Sequence, residues 1–103
     1  MKPSKKSKLE AAGWKVGSTG DFLGLNRDEE TFIELKLALS EHLRKKRLKK
    51  KITQVELAQL VSSSQSRVAK MEAGDATVTV DLLVKSLLAL GTSRKELANA
   101  IAA

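Results

Sequence analysis

The chain has 103 residues, 42% hydrophobic with only three aromatic, and carries 19 Lys and Arg against 12 Asp and Glu for a net charge of +7. That length supports one domain with one modest core and excludes a second independent one. The charge favours a polyanionic partner, either nucleic acid or an anionic membrane surface, while the absence of cysteine removes disulfides, thiolate chemistry and Cys-based metal sites and fits a reducing cytosol.

Leucines recur at helical spacing, and no alternating run is longer than the TVTV of residues 77–80, so the expected class is all-α. Residues 1–12 are rich in Lys and Ser with little to bury, and read as a flexible basic tail. They have cations but no apolar stretch, and no segment reaches the roughly 18 consecutive apolar residues of a membrane span, so neither a signal peptide nor a transmembrane helix is expected. Residues 13–25, GWKVGSTGDFLGL, hold four of the six glycines together with Trp14, Val16, Phe22, Leu23 and Leu25. They read as a short extension packed on the domain through those apolar anchors, with Trp14 serving either packing or a partner surface.

The domain is expected over residues 26–103. Asn26 and Glu29 have capping-box spacing, with Asp28, Glu29 and Glu30 in the first turn, and a long helix follows to about Lys50. Its predicted buried stripe is Phe32, Leu35, Leu39 and Leu43, widened by Ile33 and Leu37. Thr53 and Glu56 form a second capping box for a helix to about Leu60, with Ile52 as staple and Leu57 and Val61 facing inward. Ser64 caps a short helix over 65–73, and Gly74 falls where a left-handed closing residue is wanted. Thr79 caps a helix to Leu90, ended by Gly91, and Ser93 with Glu96 opens a last helix that sets Leu97 and Ile101 on one face.

Two features carry chemistry. Residues 44–51, RKKRLKKK, place seven cations in eight positions, and such self-repulsion is best relieved by an opposing polyanion. On the helix over 65–73, an advance of about 100° per residue puts Val68, Met71 and Glu72 on one arc and Ser66, Ala69, Lys70 and Ala73 on the other, flanked by Gln65 and Arg67. Small residues on that outer arc permit close approach to a major groove, where Gln65 pairs with adenine and Lys70 donates to guanine.

These residues resemble the helix-turn-helix domain of lambdoid phage repressors, Cro and XRE-type regulators. The resemblance runs from about Leu43 to Leu90 through Ile52-Thr53-Gln54-x-Glu56-Leu57-Ala58, Ser64-Gln65-Ser66-Arg67-Val68, Met71-Glu72-x-Gly74 and Thr79-x-Asp81-x-Leu83. It implies a compact five-helix, lambda-repressor-like fold in which Ala58 is the small residue at a helix crossing and Val68 plugs the core. Gln65, Ser66 and Lys70 then occupy base-reading positions, while Thr53, Gln54 and Arg67 lie where relatives meet the DNA backbone. Lys49, Lys50 and Lys51 of the basic run are assigned to phosphates as well. The resemblance also sets Arg47 and Glu72 where repressors hold a partly buried ion pair. For Arg47 this competes with a phosphate contact, and Glu72 on the inner arc favours the pair, because a carboxylate there needs a partner. The pattern departs from the family at Ser62, where a glycine with positive φ is usual, and in the loop GDATVT, 74–79, which lacks basic residues.

More broadly, residues 13–30 together with 75–98 look like short HigA-type antitoxins, which pair with a small RNA-cleaving toxin and repress their own operon. The expected function is therefore a sequence-specific DNA-binding transcriptional regulator, a repressor and the antitoxin of a toxin–antitoxin operon. A module that chiefly neutralises a toxin, with DNA binding secondary, is the alternative. Both readings imply a homodimer on double-stranded DNA, with Leu83, Val84, Leu87, Leu88, Leu90, Leu97 and Ile101 divided between core and dimer contact. Expected localisation is cytoplasmic and nucleoid-associated. No enzyme, cofactor or metal site is expected: the single histidine, His42, is assigned to the polar side of the long helix, and no pair of catalytic carboxylates stands out. A membrane-surface role fails because only Leu43 and Leu48 oppose the cations.

Overall fold

The computed structural model describes residues 27–102. These form five helices and, among the described residues, no strand: α1, Arg27–Lys49; α2, Gln54–Leu60; α3, Gln65–Ala73; α4, Val80–Ala89; and α5, Arg94–Ala102. Asn26 and the regions assigned to a basic tail and an N-terminal extension lie outside the described residues.

The local sequence explains where each short helix begins. The Thr53 hydroxyl accepts the amide of Glu56 at 3.1 Å while the Glu56 carboxylate accepts the amide of Thr53 at 2.9 Å, a reciprocal box at the start of α2. Ser64 accepts the amide of Arg67 at 3.2 Å, Thr79 that of Leu82 at 3.2 Å, and Ser93 that of Glu96 at 3.1 Å, so α3, α4 and α5 start where the hydroxyl residues stand.

The first four helices end in one way. A residue with positive φ follows each helix or its last turn, and the amide after it bonds back five residues: Ile52 to Arg47, Ser63 to Ala58, Asp75 to Lys70 and Thr92 to Leu87. The left-handed residues are Lys51 (φ 58°), Ser62 (φ 54°), Gly74 (φ 73°) and Gly91 (φ 86°). Ser62 thus takes the conformation that glycine usually supplies, against the steric penalty on its own Cβ. At Gly74 glycine is needed twice over, since an added Cβ would lie 2.6 Å from Leu37 Cδ2.

The core joins α1 to the other helices through Leu39, Leu43, Leu57, Ala58, Val68, Met71, Val78, Leu83, Leu87 and Leu90. The buried hydroxyl of Ser86 donates to the sulfur of Met71 at 3.5 Å. Two expectations are corrected here, for the buried face of α1 and for His42. The buried face of α1 is Ile33, Lys36, Leu39, Ser40 and Leu43, while Phe32 is half exposed. Ile33, Leu39 and Leu43 are buried as expected, Leu35 and Leu37 are intermediate, and the other two buried positions are the polar Lys36 and Ser40, to which hydropathy alone does not point. His42 is half-buried rather than a surface group: its Nε2 is enclosed without a hydrogen-bond partner among the described residues, and it lines a shallow cleft with Ala38, Glu41, Lys45 and Ala100 of α5. The C-terminal leucines also separate, with Leu83, Leu87 and Leu90 in the monomer core and Leu88 and Ile101 exposed.

Candidate nucleic-acid interface

Helix α3 presents two different faces. Val68 and Met71 are completely buried, whereas Gln65, Ser66, Arg67, Lys70 and Ala73 are exposed and Ala69 is intermediate. Its outer surface therefore combines small side chains with three long polar ones, and the apolar arc fixes its rotation about its own axis.

A polar network holds the helix from the side. Arg47 Nε lies 2.6 Å from Glu72 Oε2 and Arg47 Nη2 lies 3.0 Å from Oε1, a two-pronged pair whose side chains are 12% and 4% exposed. The remaining prong of the guanidinium donates to the carbonyl of Ile52 at 2.9 Å, tying α1, the α1–α2 turn and α3 together. Hydrogen bonding to Glu72 raises Arg47 above its ordinary range. Gln54 donates to Glu72 Oε1 at 3.2 Å and accepts from Gln65 Nε2 at 2.7 Å, so the chain Arg47, Glu72, Gln54, Gln65 runs from the interior to the exposed start of α3. The first residue assigned to base reading is thus oriented by a buried charge pair.

Around this frame, Thr53 is exposed at the start of α2; its hydroxyl accepts from Glu56 and retains its own hydrogen for donation. Ser66 Oγ lies 3.3 Å from Ser64 Oγ, and Arg67 extends into solvent. The basic run is not uniform. Lys45 pairs with Glu41 at 3.3 Å, Lys46 with Glu96 at 2.8 Å and Arg47 with Glu72, while Arg44, Lys49, Lys50 and Lys51 have no carboxylate within ion-pair distance among the described residues. Lys46, read with the phosphate-binding cations, is instead spent on α5. Lys49 and Lys51 are exposed, and the Lys50 ammonium sits near Gly91, beside the carbonyl end of α4.

Two further contacts, beyond those of Lys46 and Gln54, escaped the sequence reading. Lys36, 5% exposed, donates to the carbonyl of Ala76 at 3.0 Å, and burial lowers its pKa against the raising influence of Asp75. Asp75 in turn accepts the Thr77 hydroxyl and the Thr77 amide, the latter at 2.8 Å, which closes the α3–α4 loop. No local pattern distinguishes Lys36 from a solvated lysine, since its partner lies 40 positions away.

Two short helices joined by a tight turn, with the second exposing a polar face, form the arrangement that enters a major groove. A helix-turn-helix family model matches residues 43–97, more than half of the chain. The chain belongs to the helix-turn-helix family. It is a DNA-binding transcription regulator of the XRE type with a lambda-repressor-like all-α fold, and this is a regulatory rather than an enzyme family. The matched segment begins at Leu43, well inside α1, and ends at Leu97 in α5, so all of the helix-turn-helix unit lies within it. No curated protein and no solved structure matches the chain. Among the described residues no helix is long and apolar enough to cross a membrane.

Proposed function

We propose that the chain is a sequence-specific transcriptional repressor that binds operator DNA as a homodimer. Helix α3 lies in the major groove, where Gln65, Ser66 and Lys70 read base edges, and Thr53, Gln54, Arg67, Lys49, Lys50 and Lys51 hold phosphates. The observation that carries this reading is the exposed outer face of α3 above a helix anchored by the Arg47–Glu72 pair. One α3 spans too few base pairs for a unique operator, and a two-fold dimer doubles the site. Leu60 and Leu88, 58% and 49% exposed, supply apolar surface for such a contact.

Within this reading the protein is also the antitoxin of a toxin–antitoxin operon. The HigA-like pattern of residues 13–30 and 75–98 supports that role, and so does exposed Phe32, which lies one helical turn from Asp28 and Glu29 outside the family-matched segment. Selection from a random duplex pool, followed by footprinting upstream of the gene with and without the co-expressed neighbouring reading frames, tests both roles. A protected palindrome supports the repressor, and a toxic neighbour that co-purifies supports the antitoxin. Failure to select any sequence would remove the DNA-reading assignment.

A further inference from the structure

Helix α1 starts at Arg27, sixteen residues ahead of the family-matched segment, and this added length reaches the far end of α3. Two successive side chains make the connection. The Lys36 ammonium donates to the carbonyl of Ala76 at 3.0 Å, and Leu37 Cδ2 occupies the space beside Gly74 that a Cβ would enter at 2.6 Å. Both contacts fall where α3 gives way to the loop. That loop is bonded to α3 through the amide of Asp75, which donates to the carbonyl of Lys70 at 3.1 Å. It is closed on itself by Thr77 and by the amide of Val78 on the carbonyl of Asp75 at 3.2 Å.

An apolar side chain at position 36 would fill the same space without burying a charge, and such replacements often cost nothing in stability. What the ammonium adds is direction: it fixes one carbonyl of a loop whose own residues carry no cation. The Arg47–Glu72 pair secures the side of α3, and the Lys36–Ala76 bond secures its C-terminal end, the end that carries Lys70.

Building on the DNA reading above, we infer that Lys36 is a positioning residue for base recognition, through which the N-terminal part of α1 sets the angle at which α3 presents Lys70. Lys36 touches no DNA in this scheme. Its loss therefore lowers discrimination between sequences while leaving phosphate binding alone.

The test uses the full chain and two probes, the best duplex selected by the wild type from a random pool and a scrambled duplex of equal length. Lys36→Met keeps the length of the side chain and removes the donor. It is expected to weaken binding to the selected duplex by on the order of five- to tenfold, with scrambled-duplex affinity and the salt slope unchanged. In a Lys70→Ala background the same substitution is expected to change the ratio by about twofold or less, because the two residues act through one contact. Lys36→Arg, which retains a donor, restores the ratio at least in part, and Leu37→Ala, which loosens the same junction without touching the charge, lowers it. If Lys36→Met fails to fold, the Leu37→Ala ratio decides. Equal weakening of both duplexes, additivity with Lys70→Ala, or an unchanged ratio overturns the inference while leaving the DNA reading in place. A wild-type chain that selects no sequence overturns both.

Discussion

Replacing Glu72 by Ala probes the anchor of α3 directly. The substitution removes both carboxylate oxygens from Arg47 and one from Gln54, leaving a guanidinium that is 12% exposed with the Ile52 carbonyl as its remaining acceptor. Loss of one member of a buried pair costs about 3 to 5 kcal/mol. The surviving bond to Ile52 and the partial exposure of Arg47 place the expected loss at the lower end, about 3 kcal/mol. For a domain of this size each kcal/mol moves the melting midpoint by about 4 to 8 °C, so the expected fall is roughly 12 to 24 °C. Circular dichroism on heating measures it. The double variant Arg47→Met with Glu72→Leu, which removes both charges and refills the volume, should recover most of the loss, because the cost lies in the stranded guanidinium and not in the missing attraction. A Glu72→Ala midpoint equal to that of the wild type, or a double variant no better than the single one, would refute this reasoning.

Ser62→Gly should raise stability by about 0.5 to 1 kcal/mol, the relief of a left-handed Cβ less the entropy that glycine adds to the unfolded chain, and chemical denaturation would read it at an unchanged m-value. Lys70→Ala should cost about 1 to 3 kcal/mol on the selected site and relax its preference, whereas Lys49→Ala should weaken all duplexes alike and reduce the salt slope by about one; binding titrations at several salt concentrations separate the two. Acid should destabilise the fold through two carboxylates. The Thr77 hydroxyl and amide, then Lys70 and Lys36, hold Asp75 below its usual range, and Lys46 does the same chiefly for Glu96. Because both folded values are depressed, their stabilisation is complete above the ordinary carboxylate range and is lost as pH falls through the lowered values, so Asp75→Asn and Glu96→Gln should flatten the acid limb of a melting-point profile. Equal acid limbs for wild type and variants would exclude these two groups as the cause.

Much of the local structure was legible because it depends on neighbours in the chain. Hydroxyl residues three positions ahead of a free amide located the starts of α2, α3, α4 and α5, and 100° periodicity separated the inner face of α3, with Val68 and Met71, from the outer face, with Ser66 and Lys70. The departure at Ser62 was visible for the same reason, since a tight closure needs positive φ whatever residue stands there.

Less legible was the buried face of α1. A stripe of leucines pointed to Phe32 and Leu35, but the buried face passes through Lys36 and Ser40, because a lysine whose ammonium finds a carbonyl can be buried where hydropathy places none. Within the basic run Arg47 was expected at Glu72, 25 positions away, but Lys46 was read with the phosphate-binding cations and turns instead toward Glu96, 50 positions away.

The sequence by itself determined the five helices, the caps of α2 to α5 and the polar face of α3, since these follow from residues within a turn or two of each other. Only the tertiary structure decided which cations are left without a carboxylate partner, which leucines are already spent in the core, and how α1 holds the side and the C-terminal end of α3. A side chain's role in those cases depends on a partner distant in the chain, and no local pattern encodes whether that partner lies at 3 Å or in solvent.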